Sequence, residues 1–163
     1  METKVFFIIG VSGAGKSTLV SFLKEKLKDF EVHDFDEVGV PSNADKNWRL
    51  ETTNSWIKRV NFYVKQSKKT IICGVCVPDE IRNCSNYKIS LNPKFGFIKI
   101  SEEDIVKRLK ERKWSDEEIN NNITWSKHLL KFVEKEKDHF IVNGSLNRPE
   151  EVANKFIEWI KSY

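Results

Sequence analysis

Residues 10–18 read Gly10-Val11-Ser12-Gly13-Ala14-Gly15-Lys16-Ser17-Thr18, and this stretch constrains the chain more than any other. An apolar run, Val5-Phe6-Phe7-Ile8-Ile9, precedes it, and an amphipathic stretch, Leu19 to Leu27, follows it. Strand, glycine-rich loop and helix in that order match the G-x-x-x-x-G-K-[ST] phosphate-binding pattern. Glycines let successive backbone N–H groups turn inward into a nest for phosphate oxygens. The helix that follows adds unpaired N-terminal donors and the positive end of its dipole. In that setting Lys16 reaches β- and γ-phosphates and the Ser17 hydroxyl ligates Mg²⁺. The pattern predicts a nucleoside triphosphate as ligand, with Gly10, Ser12, Gly13, Ala14, Gly15, Lys16, Ser17 and Thr18 around its phosphates.

The rest of the chain repeats the alternation. Apolar runs at Lys4 to Ile9, Phe30 to His33, Thr70 to Cys73, Gly96 to Ile100 and Phe140 to Asn143 have the length and composition of buried parallel strands. Helical spacing fills the gaps at Thr18 to Lys28, Trp48 to Lys65, Glu102 to Arg112 and Asp116 to Lys135. Ser101 reads as the N-cap of the third of these. A last helix runs to Trp159-Ile160, with Asn147 as its expected cap and Glu150 returning the bond. Asn83 to Pro93 reads as a polar surface loop. At 163 residues the chain fits a single α/β domain with a parallel sheet covered on both faces. In such sheets ligands bind at the carboxyl ends of the strands, so the loops there carry the functional signal.

After the second strand, Asp34 and Asp36 stand one residue apart. Read as extended chain, both point toward the mouth of the glycine-rich loop. One carboxylate would hold a Mg²⁺-bound water while the other accepts a proton from an acceptor hydroxyl. His33 reads as structural. Arg49, opening the second helix, would take a phosphate or carboxylate of the acceptor. Gly74, closing the third strand, would permit close backbone approach to a ligand. Arg108 and Arg112 lie four apart on one helix face, where they would stabilise charge on a moving phosphoryl group.

Composition narrows the partners. The net charge of +4 is small and unclustered, which disfavours a dedicated nucleic-acid binder and suits an anionic small molecule. No apolar span reaches membrane length and no signal-peptide pattern is present. The three cysteines, Cys73, Cys76 and Cys84, read as reduced thiols of a cytoplasmic protein. Cys73-Gly74-Val75-Cys76 matches C-x-x-C, but its first cysteine ends a strand rather than opening a helix. Packed free thiols are expected.

Together the glycine-rich loop, Asp34-x-Asp36, Arg108-Leu109-x-x-Arg112 and the last strand-to-helix turn resemble the P-loop nucleoside and nucleotide kinase group. Adenylate, shikimate and gluconate kinases are relatives in that group, and the resemblance covers essentially residues 1–163. It implies a three-layer fold, a five-stranded parallel sheet in order 2-3-1-4-5 and a short lid near residues 108–125. It implies ATP and Mg²⁺ as cofactors, with Ser17 and Asp34 at the metal and Asp34 and Asp36 serving the acceptor. Lys16, Asp36, Arg108 and Arg112 would be catalytic, and Asn143, Gly144 and Ser145 would lie beside the adenine. Two features depart from the group: Cys73-Gly74 stands where Asp-Gly is usual, and the lid lacks a zinc-binding set. The expected activity is γ-phosphoryl transfer to a small acceptor, a nucleoside or nucleotide first. A hydroxy-acid, a polynucleotide 5′-hydroxyl, or nucleotide binding with little turnover are the alternatives, in a monomer or a homodimer.

Overall fold

The structure, a computed structural model, describes residues 4–163; residues 1–3 of the domain read from the sequence lie outside it. Five strands form one parallel sheet in the order β2-β3-β1-β4-β5. They are β1 (Val5–Ile9), β2 (Phe30–Asp34), β3 (Lys69–Gly74), β4 (Lys94–Lys99) and β5 (His139–Asn143). Every residue of the central strand β1 is buried, because both faces of the sheet are covered. Phe6 pairs in register with Ile71, and Phe7 with both Ile72 and Phe95.

Six α-helices complete the three layers: α1 (Lys16–Lys26), α2 (Lys46–Lys65), α3 (Pro78–Arg82), α4 (Glu102–Glu111), α5 (Asp116–Glu134) and α6 (Pro149–Lys161). One face carries α1 and α6, where the Phe6 ring meets Trp159 edge-on at 5.3 Å between centroids. The other carries α2, α3 and α5, with α4 against α5. There Phe7 stacks on Phe95 at 5.9 Å. Alternate residues of β1 thus feed two separate cores, as the period of a strand requires.

Several ends differ from the sequence expectation. The short helix α3 stands where the sequence pattern suggested only a loop; Pro78 at its first turn, with Asp79 and Glu80 beside it, is a helix-start signature. Helix α2 begins at Lys46, two residues before Trp48, because the Asp45 carboxylate accepts from the Trp48 N–H at 2.9 Å. Asn147 does not cap α6. Its side chain donates to the Asn143 carbonyl, and Glu151 rather than Glu150 accepts from the Arg148 N–H at 2.7 Å. Ser101 does cap α4, accepting from Asp104 N–H at 3.1 Å. Within 83–93 a short 3-10 turn (Ile89–Leu91) buries Leu91.

Gly74 is glycine for a packing reason. A Cβ there would lie 2.1 Å from the Phe35 Cβ, so Phe35, and not a ligand, takes the space the sequence reading left for one. Phe35 is held in turn, since Trp56 Nε1 donates to its carbonyl at 3.0 Å. Gly74→Ala is expected to cost about 3 kcal/mol by overpacking, lowering Tm by roughly 10 °C in a chain of this size. Thermal unfolding followed by circular dichroism checks it. An alanine variant melting with the parent would refute the close packing.

Candidate active site

The loop between β1 and α1 needs two left-handed residues, and both are glycines: Gly13 at φ 82° and Gly15 at φ 91°. Gly15 is the N-cap of α1 and has no side chain to bond the helix. The first turn of α1 also holds no acidic residue, so no side chain of the helix itself answers its N-terminal donors and dipole. That is a built-in anion site.

Lys16 folds back over this loop and donates from Nζ to the Val11 carbonyl at 2.8 Å. Burial pushes its pKa down from the ordinary lysine value, and the carboxylates of Asp36 and then Asp34 oppose that shift. The Ser17 hydroxyl donates to Asp34 Oδ2 at 3.0 Å. The other oxygen of Asp34 accepts from the Asp36 N–H at 2.9 Å. Asp36 is exposed as a residue, but partial desolvation of its carboxyl raises its pKa above the ordinary carboxylate value; Lys16 lowers it and Asp34 raises it further.

Only Asp34 is on extended chain, where the sequence pattern suggested both aspartates. Asp34 ends β2 and caps a 3-10 turn (Phe35–Val38) that carries Asp36. Both still act on Lys16, because the turn swings Asp36 back toward the loop. His33 bonds Glu37 at 2.7 Å and stacks on Tyr63 at 5.5 Å, a structural role on the α2 side.

Two side chains brace the outward carbonyls of the loop. Arg108 Nη1 donates to Gly13 O at 2.8 Å, and Asn122 Nδ2 donates to Ser12 O at 3.1 Å. Asn122 escaped the sequence reading, since nothing separates it from Asn120 and Asn121 beside it. The segment expected as a lid is a helical hairpin: α4 and α5 joined through 112–115, with Ser115 capping α5 and bonded to Glu118. A cleft of about 250 Å³ opens beside the loop, lined by Gly13, Gly15, Thr18, Arg108, Arg112 and Gly144 among others. Gly13, Ala14, Gly15, Thr18, Arg108 and Gly144, six phosphate- or base-side candidates, therefore share one wall with Arg112. Asn143 and Ser145 serve that wall indirectly. The Asn143 side chain accepts from the N–H groups of Ser145 and Leu146, and the Ser145 hydroxyl accepts from the Ser101 N–H at 2.8 Å.

Across the mouth, the Arg49 fork is already occupied. Its Nε and Nη2 donate to the two carboxylate oxygens of Glu80 at 2.9 and 2.7 Å. The Trp125 ring of α5 lies over the guanidinium at 5.0 Å. Arg49 is therefore not an open anion fork, contrary to the expectation from sequence. A larger cavity, about 500 Å³, lies between α2 and α3 and is lined by Lys46, Glu51, Asn54, Glu80, Asn83 and Ser85 among others. Below it, Cys73 and Cys76 are buried free thiols. Burial first, and neighbouring acidic groups second, push both above the ordinary thiol value, so they pack as small apolar side chains.

Solved structures that share this fold are numerous. An unliganded sugar kinase from Janibacter sp. HTCC2649 is 17% identical, with 98% of this chain and 95% of that one covered at a TM-score of 0.73. Shikimate kinase from Aquifex aeolicus is 20% identical, covering 96% of each chain at 0.65. This is a P-loop nucleotide kinase-like fold. Thymidylate kinase from Candida albicans shares it at 16% identity, with 99% and 92% covered and a TM-score of 0.65. No family model matches the sequence, and no curated protein matches it. Among the described residues, no helix of the chain is long and apolar enough to cross a membrane.

Proposed function

We propose that the chain is an ATP- and Mg²⁺-dependent kinase that transfers the γ-phosphoryl group to a hydroxyl of a small acceptor. One observation carries the reading: Ser17, Asp34, Asp36 and Lys16 converge at the uncapped N-terminus of α1. A site that only held a nucleotide would gain nothing from a second carboxylate with a raised pKa near the phosphate-binding lysine. A general base gains a great deal from it.

The oxygens of Ser17 and Asp34 fit a magnesium site. They stand 3.0 Å apart, which is close to the spacing of adjacent oxygens around a hexacoordinate ion with bonds of about 2.1 Å. Mg²⁺ bound there supplies positive charge to β- and γ-oxygens. The chain's own groups do the remainder. Loop N–H donors and Lys16 hold the phosphates, and Arg108, anchored on Gly13, keeps its other N–H groups for the cleft. Arg112 lines the side where the base of ATP would lie. Asp36 takes the acceptor proton as the acceptor oxygen bonds to the γ-phosphorus and the bridging P–O bond to ADP breaks. The cavity between α2 and α3 would take the body of the acceptor.

An ADP-release assay over nucleosides, nucleotides, sugars, sugar acids and shikimate-like acids tests the reading. ADP formation that depends on one class of acceptor is expected. Tight ATP binding with no acceptor-dependent turnover for any class would overturn it and leave a nucleotide-binding regulator.

A further inference from the structure

Resting on that reading, we infer that Glu80 sets the charge of the acceptor: by occupying the Arg49 fork, it excludes anionic acceptors and selects an uncharged, hydroxyl-bearing one. Arg49 comes from the first turn of α2 and Glu80 from α3, and their side chains are only 19% and 16% exposed. Both carboxylate oxygens are used, one on Nε and one on Nη2. The Trp125 ring covers one guanidinium face. An incoming carboxylate or phosphate would have to displace Glu80 and leave it buried without its cation.

Glu80 lines the cavity between α2 and α3 proposed for the acceptor, so its carboxylate meets what enters there. No other arginine compensates. Arg108 is committed to Gly13 and lines the opposite cleft with Arg112. Arg82 is bonded through both terminal nitrogens to Glu136 and stacks on Phe95.

The remaining charges of the cavity balance. Lys46 and Glu51 both line it with opposite charge, and Glu80 is neutralised by Arg49. The other polar groups are amides and a hydroxyl. Asn54 accepts from the Ser85 hydroxyl and from Asn86, which leaves its own NH₂ as a donor. A lining whose charges sum to none bonds sugar or base hydroxyl and carbonyl groups through its amides and leaves a dianion without net compensation. The chemistry points to a nucleoside or neutral sugar, rather than a nucleoside monophosphate or sugar acid.

Acceptors compared in pairs test this: a nucleoside against its 5′-monophosphate, and a sugar against its acid. The wild type is expected to favour the neutral member in kcat/KM by about tenfold or more. Glu80→Gln, confirmed folded by its melting curve, is expected to lower KM for the anionic member by about tenfold and so to narrow the preference for the neutral one. Glu80→Asp, which keeps the charge at shorter reach, should preserve the preference and serves if the glutamine variant unfolds. Wild-type preference for the anionic members, or a preference that Glu80→Gln leaves unmoved, would overturn the inference while the kinase reading stands. ATP binding with no turnover of either member would overturn the kinase reading itself.

Discussion

Replacing Lys16 with alanine is expected to lower phosphoryl transfer by ~10³-fold or more at saturating ATP, with the fold intact. The first half follows from position. Lys16 is the cation inside the loop, and it is held over that loop by one bond to the Val11 carbonyl. Charge accumulates on the β- and γ-oxygens in the transition state, and alanine leaves nothing there to meet it. The second half follows from burial. The folded protein lowers the Lys16 pKa, so the charged form is less comfortable in the fold than in the unfolded chain. Removing that charge relieves a cost that offsets the lost bond to Val11. Single-turnover kinetics and a melting curve separate the two statements. Turnover within a few-fold of wild type would refute the mechanism, and a collapsed melting transition would make Lys16 a structural residue.

Asp36→Asn is expected to slow transfer by ~10²–10⁴-fold, the range of a lost general base, with ATP affinity nearly unchanged. Asp34 and Ser17 keep their bond in this variant, since the Asp36 contribution to that cluster is its backbone N–H. The pH profile carries the sharper signature. A base must be ionised, so the wild-type rate rises with pH through the Asp36 pKa, which partial desolvation holds above the ordinary carboxylate value. The asparagine variant loses this limb. Stability moves in the opposite sense. The folded protein binds the Asp36 proton more tightly than the unfolded chain, so stability falls as pH rises from the unfolded value to the raised folded one. Asp36→Asn should therefore melt at or above the wild-type temperature at neutral pH, and the two should converge below the ordinary aspartate range. An unshifted acid limb in the variant would show that another group takes the proton.

Different layers of the protein were legible to different depths. The central strands were plain, because both faces of the sheet are covered and Val5 to Ile9 reads as an unbroken apolar run. Strand β2 was faint for the converse reason. It is an edge strand with only Val32 fully buried, so its flanking residues carry little apolar signal. Helix α3 passed for loop because five residues are too few to show a period, although its proline and acidic first turn were readable.

In the candidate site, the loop residues were visible because backbone requirements write themselves as glycines: Gly13 and Gly15 hold positive φ. Gly74 shows the limit of that rule, since its missing side chain makes room for Phe35 instead of a ligand. Asn122 and Glu80 carried no signal at all. Each acts only on a residue more than thirty positions away, Ser12 and Arg49, and no local pattern encodes such a contact.

The sequence by itself determined the parallel α/β layering and the anion-binding loop, because hydrophobic period and glycine placement are local physics. The tertiary structure decided which charges remain available. It bent Asp36 back toward Lys16, anchored one Arg108 nitrogen on Gly13 with the rest facing the cleft, and closed the Arg49 fork on Glu80. A charged side chain announces its sign in sequence, but what it can bind depends on which opposite charge the fold has already placed against it.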